Sequence, residues 1–293
     1  DQSPNTITFN VESVNDAPTI LHGAEFEFPA TNEDTPSAPV AVSMILSGVA
    51  WSDVDAGALQ GLAITGASGN GQWQYSTDGV NWTDFGSPTP TNALLLDGDA
   101  FIRYLPDGEN TETAQLQFVA WDQTSGSPSA DGAPSYANAT TGGGDSAFSA
   151  EIAAASLFVA DLNDAPTMDP APTFSLAPTT EDEISLSAAV SDILAQSGWA
   201  DPDAGAVAGI AITGLSGSGT WQYSLDGSNW TDIGAVSDSA ALLLDANAQI
   251  RYVPDGENGE TATFTYRAWD QTAGSVSADG APSYGDATAT GGV

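Results

Sequence analysis

The sequence predicts an all-β protein built from antiparallel β-sandwich domains in tandem. Three observations carry this. Short runs rich in Thr, Val, Ile, Tyr, Phe and Trp are separated by clusters of Gly, Asp, Asn, Pro and Ser, the pattern of strands and turns in a sandwich. The chain repeats itself at an offset of 148 residues, so that Trp51, Trp73, Trp82 and Trp121 recur as Trp199, Trp221, Trp230 and Trp269. A repeat the size of one domain, in a chain of 293 residues, indicates two copies of a folding unit, each large enough for its own core.

The strands of the first copy follow in order. Runs at 19–28 and 38–45 are rich in apolar and β-branched residues, with a short helical turn at Met44–Gly48. Strands at 60–66, 71–76, 81–85, 93–96 and 101–105 lie between Gly, Asp and Pro clusters. Longer strands occupy 114–121 and 147–159. Trp73 and Tyr75 alternate and so share one face. Asp78-Gly79 and Asp226-Gly227 each sit between a Tyr and a Trp and predict tight primed hairpins, which need positive φ. A second helical turn is expected at Asp192–Ser197.

The repeat is out of phase with the chain. Thr6–Val14 precedes Asn15-Asp16-Ala17-Pro18, just as Ser156–Leu162 precedes Asn163-Asp164-Ala165-Pro166. Residues 1–13 therefore read as the last strand of a preceding repeat, 14–161 as repeat one, and 162–293 as repeat two without its last strand. A sandwich short of an edge strand exposes backbone groups and core. The N-terminal strand of an identical subunit is one filler for that gap, giving head-to-tail chains by strand addition.

Composition narrows function. Against 39 acids stand three arginines, one histidine and no lysine, an imbalance that repels nucleic acid and anionic membranes. No apolar run approaches the roughly 20 residues of a membrane span, and the absence of cysteine removes disulfides and thiolate chemistry. His22 is not repeated, so no Ser-His-Asp triad is supported, and no histidine cluster exists for zinc. The chain reads as non-enzymatic.

Thirteen acidic positions recur at the repeat offset. Asp53-x-Asp55-Ala-Gly and Asp201-x-Asp203-Ala-Gly place carboxylates on alternate residues of a glycine-closed loop. Glu33-Asp34, Asp107-Gly-Glu109 and Trp121-Asp122 recur as Glu181-Asp182, Asp255-Gly-Glu257 and Trp269-Asp270. Asn15-Asp16 and Asn163-Asp164 mark the starts of the repeats, and Asp161 precedes the second. Asp and Asn also cap turns through their own backbones, the bland reading of any one of them.

Asp161-x-Asn163-Asp164-Ala165-Pro166 resembles a cadherin inter-domain linker. With Glu33-Asp34, Asp53-x-Asp55-Ala-Gly and Ala120-Trp121-Asp122, the set is similar to the bacterial cadherin-like tandem repeats of large secreted adhesins of the RTX/VCBS type. The resemblance covers both copies; the linker lacks a second Asn, and the Trp73–Trp82 hairpin lies outside the shared motifs. It implies cadherin- and immunoglobulin-like sandwiches, a secreted or cell-surface location, and Ca²⁺ at each junction. The implied ligands of the complete junction are Glu33, Asp107, Glu109, Asp161, Asn163 through a carbonyl oxygen, Asp164, Asp201, Asp203 and Asp270. At the first junction they are Asn15, Asp16, Asp53, Asp55 and Asp122. Independently, Ca²⁺ takes about six to eight oxygens, several of them charged, and carboxylates crowded without a cation would repel or protonate.

The expected function is an extracellular structural and adhesion module stiffened by Ca²⁺, whose partners are neighbouring repeats or identical subunits. One alternative is a filament or surface-layer subunit polymerising by donor-strand exchange. Another is a carbohydrate-binding module that stacks surface glycans on Trp73, Tyr75 and Trp82, against the plainer reading of these rings as core. Arg103 and Arg251, in Ile-Arg-Tyr strands, are expected in structural ion pairs with acids.

Overall fold

The computed structural model describes residues 4–169 and 174–288. The chain divides into two compact units, Asp1–Leu162 and Asn163–Val293. Both are all-β sandwiches with one short helix apiece among the described residues.

Unit 1 begins with β1 (Glu25–Glu27), β2 (Thr31–Asn32) and β3 (Val40–Ala41), then α1 (Val42–Gly48). There follow β4 (Gly61–Ser68), β5 (Gln72–Ser76), β6 (Thr83–Asp84), β7 (Ala93–Asp97) and β8 (Phe101–Leu105). The unit closes with β9 (Glu112–Trp121), β10 (Tyr136–Ala137) and β11 (Phe148–Ala160). One sheet runs β1-β11-β9-β4-β7-β10, with β2 also on β11; the other runs β3-β8-β5-β6. Strands β1 and β2 pair with β11 in parallel, whereas the remaining pairs of unit 1 are antiparallel.

Alternation builds the inter-sheet core. On β9, Ala114, Leu116 and Phe118 are buried while Thr113, Gln115 and Gln117 face out, the period of two that a half-buried strand requires. Trp73 packs against Phe28, Phe85 and Tyr104 at centroid separations of 5.2, 6.3 and 4.9 Å. The opposite face of the first sheet is covered too. Ala63, Leu95, Val119 and Trp121 form a second, smaller core with Ala139, Ala147 and Phe148, which is why β4 and β7 read as continuous apolar runs.

The expected strand 38–45 is cut short by α1. Val42, Ile45 and Leu46 are fully buried and Met44 is exposed; that spacing is helical, three and four residues apart. The hairpins at Asp78 and Asp226 also differ from expectation. Gly79 and Gly227 take φ of 75° and 72°, but neither aspartate is among the described non-glycine residues with positive φ, so no primed turn forms. Instead the aspartate side chain organises a wider loop. Asp226 Oδ1 accepts from the amides of Ser228 and Asn229, both at 2.7 Å. These donors lower the Asp226 pKa from 3.8 to about 2. The loop's contribution is therefore present above the ordinary pKa near 3.8 and is lost as pH falls through about 2. The Ser228 and Asn229 amide resonances should titrate in that window, and Asp226→Ala should abolish the transition.

Unit 2 contains β12 (Ala188–Ala189), α2 (Val190–Gln196), β13 (Gly209–Leu215), β14 (Thr220–Ser224) and β15 (Thr231–Asp232). It continues with β16 (Ala241–Asp245), β17 (Gln249–Val253), β18 (Phe264–Trp269) and β19 (Tyr284–Gly285). Its sheets, β18-β13-β16-β19 and β12-β17-β14-β15, repeat those of unit 1 from β3 to β10. Among the described residues nothing corresponds to β1, β2 or β11. Residues 4–14 carry no strand, and Ile7, Phe9 and Val11 are 82%, 86% and 93% exposed. Parts of 1–13 and of the end of the second repeat fall on residues 1–3 and 289–293, outside the described residues. No helix among the described residues is long and apolar enough to cross a membrane.

Candidate metal centre

Each unit builds the same acidic cluster from three of its own segments. In unit 1 the segment before the first strand supplies Asn15 and Asp16, the loop between α1 and β4 supplies Asp53 and Asp55, and the end of β9 supplies Asp122. Asn15 donates through Nδ2 to Asp122 Oδ2 at 2.9 Å. The Asp16 amide donates to Asp55 Oδ2 at 2.8 Å. The Asp55 amide donates to Asp53 Oδ1 at 2.8 Å, the local turn that fixes the Asp-x-Asp spacing. Asp122 is 2% exposed, and its Oδ1 accepts from the Thr124 amide at 2.8 Å and from Thr124 Oγ1 at 2.6 Å.

Unit 2 repeats every contact. Asn163 Nδ2 donates to Asp270 Oδ2, the Asp164 amide to Asp203 Oδ2 and the Asp203 amide to Asp201 Oδ1, each at 2.9 Å. Asp270 is 3% exposed and accepts from Thr272.

The remaining oxygens bear on a cation. Asp53 Oδ2 and its counterpart Asp201 Oδ2 are buried and accept no hydrogen bond. A desolvated carboxylate oxygen left this way is costly, and it recurs at the same atom in both units. Burial, together with the charges of Asp203 and Asp270, raises the Asp201 pKa, against the Asp203 amide that lowers it. Among the described residues, no protein cation relieves this crowding. Arg103 and Arg251 donate to Gln74 and Gln222 and lie 4.1 and 3.9 Å over the rings of Trp82 and Trp230. Arg267 pairs with Asp238 at 3.3 Å, and His22 contacts Glu151. The ion pairs expected for Arg103 and Arg251 are therefore replaced by stacking on an indole, an interaction available to a planar guanidinium. A hard divalent cation fits the donor set, which is all oxygen and mostly carboxylate.

The other candidate ligands divide. In unit 1, Glu33 is 2% exposed and its Oε1 accepts from the Leu162 amide at 2.8 Å. Asp161 Oδ1 accepts from the Thr111 amide at 3.1 Å. Glu33 and Asp161, both in unit 1, offer carboxylate oxygens within 4.8 Å of one another. Asp107 and Glu109 are exposed in the turn after β8 and do not join that group.

Two positions escaped the sequence reading. Gln123 and Gln271 take φ of 66° and 67° directly after the buried aspartates. Their side chains donate to Gln60 O and Ala208 O at 2.7 and 3.0 Å. Together with Thr124 and Thr272 they hold Asp122 and Asp270 in place. The signal was present as the recurrence of Trp-Asp-Gln-Thr at 121–124 and 269–272.

The rings proposed to stack sugars are otherwise engaged. Trp73 is 5% exposed and Tyr75 fully buried, and the ring of Trp82 lies against Arg103. Comparisons with known protein families, curated proteins and solved structures find no match to this chain.

Proposed function

We propose that the chain is an extracellular structural and adhesion module, a tandem of β-sandwich repeats stiffened by Ca²⁺ at the boundaries between repeats. One observation carries the reading. The same buried, hydrogen-bond-deficient aspartate oxygen, Asp53 Oδ2 and Asp201 Oδ2, recurs inside an identically built acidic cluster in both units. The chain itself supports the placement at a boundary. Asp161 is tied into unit 1 and Asn163 into unit 2, with Leu162 alone between them.

The role is mechanical. A bound cation would neutralise carboxylates on both sides of this short linker and remove their mutual repulsion. Ligands on either side of the linker would then share one ion, so that bending costs coordination energy. Aspartates held by main-chain amides within turns suit that purpose: their positions are set before the ion arrives. The acidic, cysteine-free composition is compatible with the calcium-rich exterior of a cell.

Small-angle scattering of the whole chain tests this. The maximum dimension is expected to rise and the flexibility of the profile to fall when calcium replaces a chelator. Superimposable profiles in the two conditions would remove the mechanism. Asp161→Ala is expected to leave each unit folded, by circular dichroism, while abolishing the calcium-dependent change.

A further inference from the structure

Two of the three arginines occupy the same place in the two units, and neither is paired with an acid. Arg103 lies on β8 and Arg251 on β17. Cross-strand register sets Gln74 opposite Arg103 and Asp84 opposite Gln74; in unit 2 it sets Gln222 opposite Arg251 and Asp232 opposite Gln222. Trp73, Tyr75 and Tyr104 alternate with the residues of the first row and are buried in the core. Arginine, glutamine and aspartate therefore share the outward face of the second sheet. Hydrogen bonds join the row. Gln74 Oε1 accepts from Arg103 Nε at 2.9 Å, and Gln74 Nε2 donates to Asp84 Oδ1 at 2.8 Å. Gln222 links Arg251 and Asp232 in the same way, at 2.9 and 2.8 Å. The outer face of the first sheet of unit 1 carries a small core of its own, whereas this row ends on exposed aspartates.

The guanidinium end of each row is held in place but not neutralised. Arg103 lies 4.1 Å over the ring of Trp82 and Arg251 3.9 Å over that of Trp230. The indole and the glutamine together fix the plane of the guanidinium and leave its Nη edge unused. Among the described residues no carboxylate pairs with either group, and each donates through Nε alone. In a chain of 39 acids this is a specific arrangement, because glutamine stands between the arginine and the acid of its row. Partial burial without a counter-charge holds both arginine pKa values below their ordinary range. A planar cationic fork of fixed orientation matches a carboxylate, which accepts two parallel hydrogen bonds from it.

We propose that each row binds an acidic carbohydrate, with the carboxylate of a hexuronic acid on the Nη edge of Arg103 or Arg251 and a hydroxyl of the next sugar on Asp84 or Asp232. The charges of the row select this class. A single guanidinium, with no lysine or second arginine in the row, balances one negative charge and leaves a doubly charged phosphate half neutralised. The aspartate stands two strand spacings away, roughly 10 Å, within the reach of two linked pyranose rings. There it accepts a hydroxyl and repels a second carboxylate. A polymer in which acidic and neutral sugars alternate fits this spacing, and an unbroken run of acidic sugars does not. The net charge of −36 acts in the same direction, since it opposes densely charged polyanions. The sugar is held by its polar edge and stacks on no ring: Trp73 and Tyr75 are buried, and the guanidinium covers Trp82. The site stands apart from the acidic clusters and needs no calcium.

Titration of the full chain, in chelator, with a hyaluronan tetrasaccharide tests the proposal; in this probe glucuronate alternates with a neutral sugar. Nuclear magnetic resonance reads the arginine Nε–H and indole Nε1–H groups. The signals of Arg103, Arg251, Trp82 and Trp230 are expected to shift together and to saturate, while those of Arg267 and the other indoles stay in place. Arg103→Lys/Arg251→Lys keeps the charge and loses the fork, and its affinity is expected to fall about tenfold. A second variant, Asp84→Asn/Asp232→Asn, leaves both arginines and their stacking untouched. It is expected to bind a galacturonate tetrasaccharide more tightly than wild type does, because the repulsion of the second carboxylate is gone. Absence of any shift at millimolar hyaluronan tetrasaccharide overturns the proposal. Equal shifts with a neutral chitin tetrasaccharide, or with a tetraglutamate peptide, overturn it as well, the first by removing the carboxylate from recognition and the second by removing the sugar.

Discussion

Calcium is expected to raise the melting temperature of the chain, and the effect of Asp201→Asn on unit 2 to change sign between chelator and calcium. At a free concentration about 100 times the dissociation constant, binding to the folded state alone contributes about 2.7 kcal/mol. For a unit of this size that is roughly 10 °C. The inversion follows from the state without an ion. Burial and the charges of Asp203 and Asp270 raise the Asp201 pKa, so the fold holds this carboxylate less favourably than the unfolded chain does. Ionisation of Asp201 therefore removes stability as pH rises through its folded pKa. Asparagine keeps an oxygen to accept the Asp203 amide but carries no charge. Asp201→Asn should accordingly melt higher than wild type in chelator, at pH values above that folded pKa. In calcium it should melt lower, because a charged ligand is gone; a tenfold loss of affinity corresponds to about 1.4 kcal/mol. Calorimetry of both proteins in both conditions reads the crossing directly. Parallel shifts without a crossing would show that Asp201 does not face a cation.

Trp121→Ala is expected to be the most damaging single substitution in unit 1, at about 3–5 kcal/mol. The indole is fully buried and its Nε1 donates to Ser125 O at 2.7 Å. It lies so close to β4 that a Cβ on Gly61 would stand 2.6 Å from its Cε3. Its loss would empty the small core on the outer face of the seven-stranded sheet. That cost is a large fraction of an ordinary domain stability of about 5–15 kcal/mol. Hydrogen exchange should quicken along β4, β7 and β9 while the equivalent strands of unit 2 stay protected. Because Asp122 follows Trp121 directly, the same variant should weaken the acidic cluster of unit 1 and spare that of unit 2. Trp269→Ala should do the reverse.

What was legible in the sequence follows physical lines. Strands with one face in the core showed their alternation, as at Trp73 and Tyr75 or along β9. The first residues of α1, Val42 and Ser43, were read as strand because so short an apolar segment does not display a full helical period; the helical turn at Met44–Gly48 was foreseen. Pairing of β1 with β11 joins residues far apart in sequence, and nothing local encodes it. At the candidate centre, recurrence selected Asp53, Asp55 and Asp122, whose side chains hydrogen-bond one another's neighbours in the fold. Recurrence selected Asp107 and Glu109 equally, although they are exposed in a turn, because a duplicated turn repeats its acids whether or not they meet. Arg103 was assigned an acidic partner from the abundance of acids. The indole of Trp82 took that place because it sits beside the guanidinium in the sheet.

The parallel pairing of β1 and β2 with β11 has a consequence for a chain under tension. Unit 1 is entered at the N-terminal side of β1 and left at the C-terminal end of β11. In parallel strands those two points lie at opposite ends of the shared ladder. A pull between them slides the strands along one another and does not peel them apart. The bonds from Ala154 to Ala24, Phe28 to Ser156 and Glu33 to Ala160, at 3.1, 2.9 and 3.0 Å, then bear the load together and must yield together. Unit 1 is thereby built to hold its length until a single rupture, a property set by which two strands lie side by side.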